Sequence, residues 1–150
     1  MKPVYILLGL TALAFGALLL YGTGNADYKL AMRIGMSGML LFTAIGHFAF
    51  TKGMEMMLPT FIPFKRWLVY FTGLIEIAAA VGLVLPAYQR ETSLWLIVFF
   101  VSILPANISA AMNRVDYESG TFKGPGTGYL WFRVPAQIGF IAWVWCCGLM

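Results

Sequence analysis

The stretch VYILLGLTALAFGALLLY, residues 4–21, runs for eighteen uncharged residues behind the lone charge of Lys2. A segment that long and that apolar reads as a membrane-crossing helix, because about 20 residues at a rise of 1.5 Å span the hydrocarbon of a bilayer. The alternative is a secretory signal peptide, with Gly24-Asn25-Ala26 as its small-residue cleavage site. The apolar run exceeds the roughly 7–15 residues of a signal core, which favours a retained span. Gly22, Gly24, Asn25 and Asp27 then end it with turn-forming residues.

Four further stretches, 30–50, 67–85, 93–112 and 129–149, repeat this pattern. Of the 150 residues 61% are hydrophobic and 11% charged, against roughly 25% charged in a soluble domain. So few charges cannot keep a soluble surface wet, and the missing solvent is lipid. Backbone groups in hydrocarbon must find partners within their own segment, and nothing here resembles the alternating short strands of a barrel. The predicted fold is therefore all-α, a polytopic membrane helix bundle forming one domain over residues 1–150. Gly35, Gly38, Gly73, Ala78 to Ala80 and Gly82 predict close helix packing.

The connections differ in character. Residues 22–29 and 86–92 are short, and Pro86 stands where a helix should stop. Residues 51–66, TKGMEMMLPTFIPFKR, are too short to cross and too apolar for water, which predicts an interfacial or re-entrant segment. Met57, Pro59, Phe61, Ile62 and Pro63 are its lid candidates. Residues 113–128, with five Gly and Pro residues between Gly120 and Gly128, read as an irregular polar loop.

A net charge of +4 does not point to nucleic acid, since the basic residues are scattered and Lys65-Arg66 is their only adjacent pair. If the five spans alternate, Lys2, Lys52, Lys65, Arg66, Arg114, Lys123 and Arg133 lie toward one face and Lys29, Arg33 and Arg90 toward the other. Seven against three predicts that the first face, and the N-terminus, are cytoplasmic. Adjacent Cys146 and Cys147 point about 100° apart on a helix and read as small apolar residues rather than a redox pair. With one His and no spaced Cys, no metal site is legible; a haem would lack a second His ligand, and Gly124 to Gly128 is followed by no Lys of a nucleotide loop.

His47, Glu76, Asn107, Arg133 and Gln137 are polar groups inside the spans, and each is costly in lipid unless turned inward or used. Counted at 1.5 Å per residue from the same face, they lie roughly 4 to 14 Å deep, all in one half of the bilayer. Glu76 is the deepest and must be protonated or paired with a cation, for which Arg133 and His47 are available. One reading is an interhelical Glu76–Arg133 lock; the other is a pocket for a ligand head group or for protons. Pro105 deletes a helical hydrogen bond and frees a carbonyl near Val101, beside Asn107, which suits either a ligand contact or a shaping kink.

Several of these residues fall in a recurrent order: Gly46-His47-Phe48; Met57, Pro59 and Ile62-Pro63; Thr72-Gly73 with Glu76; Gly82-Leu83, Pro86 and Arg90; Pro105-Ala106-Asn107-Ile108; and Arg133-Val134-Pro135-Ala136-Gln137. Over residues 30–145 this order resembles the DoxX-like family of small bacterial membrane proteins. The resemblance implies a four-helix core, to which residues 4–21 add an N-terminal helix, in a bacterial inner membrane. Such proteins are similar to the DoxD subunit of a thiosulfate:quinone oxidoreductase and, more distantly, to NACHO-type assembly factors. Two functions follow as expectations. In the first, His47, Glu76, Asn107, Arg133 and Gln137 surround the head group of a quinone or isoprenoid-like lipid, with His47 and Glu76 exchanging protons and residues 54–64 covering the tail. No electron carrier is legible in the chain, so turnover would require a redox partner subunit. In the second, the same cluster only locks the bundle of a non-catalytic assembly or scaffold protein.

Overall fold

The computed structural model describes residues 2–21 and 27–150. Five long helices are joined by a short one: α1 (Lys2–Tyr21), α2 (Tyr28–Ala49), α3 (Thr51–Met57), α4 (Lys65–Val84), α5 (Gln89–Met112) and α6 (Leu130–Gly148), the last entered through a 3-10 turn at Gly126–Tyr129. All five long elements have the length and apolarity of membrane spans, and the architecture is an all-α membrane helix bundle. The turn residues Gly22, Gly24 and Asn25 and the candidate cleavage position Gly24-Asn25-Ala26 lie outside the described residues.

Several helices begin before the apolar stretches that predict them. Asp27 caps α2, accepting from Lys29 N at 2.9 Å and Leu30 N at 3.1 Å, so the helix starts at Tyr28 rather than Leu30. The charged turn Gln89 to Thr92 belongs to α5 although its hydropathy excludes it from the hydrocarbon. Within 51–66 the expected interfacial segment opens as α3, because Thr51 Oγ1 donates to His47 O at 2.8 Å and holds the chain at the end of α2. It closes at Phe64, whose φ of 53° reverses the chain into α4, while Lys65 Nζ donates back to Leu58 O at 3.0 Å.

α2 is the central helix, packed along α1 and α4 and touching α6 and α3. Its glycines set the close approaches: a Cβ at Gly35 would strike Thr11 and one at Gly38 would strike Leu10, both on α1. Gly73 on α4 lies against His47 and Phe48, and Gly82 against Thr92 of α5, so four of the predicted packing glycines sit at helix contacts. The apolar core joins Met36, Met39 and Leu40 of α2 with Leu83, Leu96 and Val144. These positions occupy the half of the bundle toward the start of α2 and the ends of α4 and α6. His47, Asn107 and Arg133 lie toward the other end, with Glu76 and Gln137 nearer the middle, while Ser37 and Ser93 are buried polar groups within the apolar half.

α1 buries only Leu7 among its described residues and packs on α2. Lys2 Nζ lies 2.8 Å from Glu118 Oε1, so the start of α1 stands beside the 113–125 loop, as five alternating spans require. That loop is pinned by an Asp116–Thr121 bridge and by Gly124 N donating to Arg114 O at 2.7 Å. α3 presses on it so closely that a Cβ at Gly53 would meet the Tyr117 carbonyl.

Candidate functional site

The five candidate residues separate into two groups on two helix seams. On the α2–α4 seam, His47 Nε2 lies 3.5 Å from Glu76 Oε1. The opposite ring nitrogen, Nδ1, is 3.0 Å from Val69 O and 3.1 Å from Thr72 Oγ1. Val69, Thr72 and Glu76 recur at the spacing of one helix face, which is what brings them to the same ring. Glu76 is 5% exposed, and its Oε2 has no hydrogen-bond partner among the described residues. Of the two cations available to Glu76, the structure places His47 beside it, while Arg133 goes elsewhere.

On the α5–α6 seam the polar groups form a chain. Arg133 Nη2 donates to Asn107 Oδ1 at 2.7 Å, Asn107 Nδ2 donates to Gln137 Oε1 at 3.3 Å, and Gln137 Nε2 donates to Phe100 O at 2.7 Å. Arg133 and Gln137 are one turn apart on α6 and share a face. Pro105 lies inside α5 and leaves Val101 O without its helical donor, while the carbonyl that receives the outside donor from Gln137 is the neighbouring Phe100 O.

The second group faces open space. A cavity of about 210 Å³ is lined by Asn107 and Arg133 together with Met57 of α3, Tyr117 of the loop, and Tyr129. Lys2 and Glu118 stand at it too, tied to each other, and Asp116 is engaged by the Ser119 hydroxyl at 2.7 Å. Arg133 has no carboxylate within ion-pair distance among the described residues, and its guanidinium lies over the Tyr129 ring at 5.9 Å. Burial pushes the Tyr117 phenol above its ordinary pKa, with the Glu118 charge acting in the same direction. Beside the Lys2–Glu118 pair and Asp116, the cavity thus presents a half-buried cation, an amide and two phenols, groups able to donate to an oxygen-bearing ligand. A second hollow, of about 260 Å³ between α4 and α5, contains none of the five polar residues.

His47, Glu76 and Gln137 do not line the 210 Å³ cavity. Of the lid candidates Met57 alone lines it; Pro59 and Ile62 are half-buried, while Pro63 is exposed and Phe61 is 82% exposed. Phe61 and Phe64 of this segment are exposed, and it is Met57 of α3 with residues of the 113–125 loop that line the cavity there. Tyr117 and Tyr129 are site residues that the reading of the spans passes over. The legible signal was Tyr129 standing one helical turn before Arg133.

No curated protein and no solved structure matches the chain. One family model, described as a domain of unknown function (DUF8561), matches residues 36–148 and so covers the bundle from the middle of α2 through α6, with the polar groups of both seams inside it and α1 outside. The chain belongs to the DUF8561 family.

Proposed function

We propose that this protein binds a quinone or isoprenoid-like lipid, receiving its oxygen-bearing head group at Arg133 and Asn107, as the membrane subunit of a redox system in a bacterial inner membrane. The observation that carries this reading is Arg133, a half-buried cation at the edge of a cavity with an amide instead of a carboxylate as its partner. A guanidinium held this way offers its remaining N–H groups to a ligand acceptor. The resemblance to DoxX-like proteins supports a quinone as that ligand. His47 and Glu76 stand off the cavity lining, so the head group is held without them. The seven-to-three excess of cations supports a cytoplasmic position for the cavity face.

Lipids extracted from the purified protein and identified by mass spectrometry test the proposal. A quinone or other isoprenoid should co-purify with the wild type and fall by about tenfold or more in Arg133→Gln, the loss of one charge-assisted hydrogen bond. Absence of any such lipid, or equal retention by the variant, would overturn it.

A scaffold or assembly role is the second reading, and one observation favours it. Both polar groups bridge two helices, α2 to α4 and α5 to α6, as a structural lock would. Under this reading Arg133→Gln lowers stability and changes no bound lipid.

A further inference from the structure

We propose that His47 and Glu76 form a buried one-proton site: the pair holds a single exchangeable proton between Nε2 and Oε1, and Glu76 Oε2 is where that proton enters and leaves. The inference is independent of whatever occupies the Arg133 cavity, which the pair does not line.

The tautomer comes first. Val69 O, 3.0 Å from His47 Nδ1, can only accept. A bare Nδ1 would set two lone pairs against each other, so Nδ1 carries a hydrogen. Thr72 Oγ1 is not required as a donor to the ring, since Leu68 O at 3.0 Å and Val69 O at 2.9 Å already take its hydrogen. With Nδ1 fixed as N–H, Nε2 is the nitrogen whose proton can change, and it faces Glu76 Oε1 at 3.5 Å.

Charge then fixes the number of protons. If Nε2 and Glu76 were both bare, an ionised carboxylate would lie buried against a nitrogen lone pair. If both were protonated, an imidazolium would lie buried against a neutral acid. Either state leaves an uncompensated charge inside the bundle, which is costly. Only the states with one proton between them, imidazolium with carboxylate or imidazole with carboxylic acid, are neutral as a pair. They interconvert by moving that proton along the line from Nε2 to Oε1, with no other group changing charge.

Among the described residues no other ionisable group competes for this proton. α5 has none between Ser93 and Met112, and on α6 Arg133 is given to Asn107 while Cys146 and Cys147 lie at the far end. On α2, Lys29 and Arg33 stand at the opposite end; on α3, Glu55 pairs with Arg66 of α4 at 3.9 Å and Lys52 is exposed. On α4, Lys65 donates to Leu58 O, and Tyr70 lies against Arg66. The remaining atom, Oε2, has no partner among the described residues although the carboxyl is more than nine-tenths buried. An O–H donor such as water, or a ligand hydroxyl, that reaches Oε2 can exchange protons with the pair in one concerted step, giving its proton to Oε2 as it receives the pair's own, so that pair and donor both keep their charge.

His47 is the only histidine of the chain, so ring-15N histidine labelling in liposomes reports one site without assignment. In the wild type at neutral pH, Nδ1 should be protonated, and the Nε2–H fraction from the ring signal and the protonated fraction from the Glu76 carboxyl infrared band should together account for one proton. In Glu76→Gln the infrared band should vanish, and at neutral pH the ring should be the Nδ1–H tautomer with Nε2 bare. A wild-type ring protonated on Nε2 with Nδ1 bare, or a pair that holds no proton or two protons at neutral pH, would overturn the proposal. The wild-type measurement decides this even if the variant does not fold.

Discussion

Arg133 Nη2 and Asn107 Oδ1 meet at 2.7 Å across α5 and α6, so the cation of the cavity is held by an amide that is also committed to Gln137. Asn107 is buried, and it serves one partner as acceptor and the other as donor. Asn107→Ala should therefore cost about 1–3 kcal/mol of stability, because Gln137 Oε1 loses its donor as Arg133 loses its acceptor. Thermal unfolding in a fixed detergent measures this loss.

Asn107→Asp separates stability from binding. The new carboxylate would pair with Arg133 and neutralise the guanidinium, while its side chain no longer donates to Gln137. The bundle should persist by circular dichroism, and any co-purifying lipid should fall as far as in Arg133→Gln. An Asp variant that retains the lipid would show that the guanidinium is not the binding group.

Gly53 and Gly9 make opposite predictions for the same substitution. A Cβ at Gly53 runs into the Tyr117 backbone, whereas one at Gly9 meets nothing within 4 Å. Gly53→Ala should destabilise by about 1–3 kcal/mol, since backbone must move, and hydrogen exchange of residues 113–125 should quicken. Gly9→Ala should leave the stability unchanged or raise it by up to about 1 kcal/mol through helix propensity.

The Lys2–Glu118 contact predicts a pH effect at the cavity mouth. The hydrogen bond from Lys2 holds the Glu118 carboxyl below its ordinary pKa. A carboxyl depressed on folding stabilises the fold above its unfolded pKa, and this contribution is lost as pH falls through the depressed value. Carboxyl 13C titration should give Glu118 a midpoint below the ordinary value of 4.5, returning toward it in Lys2→Gln. Asp116, held down chiefly by the Ser119 hydroxyl, should be unchanged by Lys2→Gln.

Alternating spans put Lys52 and Tyr88 at opposite faces of the membrane, and both are exposed. In a background without native cysteines, Lys52→Cys and Tyr88→Cys should label from opposite sides. Labelling of Tyr88→Cys, and not Lys52→Cys, by an impermeant reagent on intact cells is expected for a cytoplasmic cavity face.

The spans were legible because apolarity alone predicts them, and the helix ends that differ are those set by local hydrogen bonds, such as Asp27 at α2. Position along each helix was legible too: His47, Asn107 and Arg133 lie toward one end of the bundle, with Glu76 and Gln137 nearer its middle. What depth cannot give is the direction a side chain takes around its helix. Glu76 and Arg133 point into different seams, and only packing sends Glu76 to His47. The spacing of Arg133 to Gln137 and of Val69 to Thr72 and Glu76 does show which residues share a face. It does not show which neighbouring helix that face meets.

Phe100 O takes its donor from Gln137, and Asn107 finds both of its partners on α6. An α5 alone in the bilayer would present that carbonyl and that amide to hydrocarbon, and an α6 alone would present Arg133 and Gln137. The hairpin of α5 and α6 thus satisfies within itself groups that either helix alone would present to hydrocarbon.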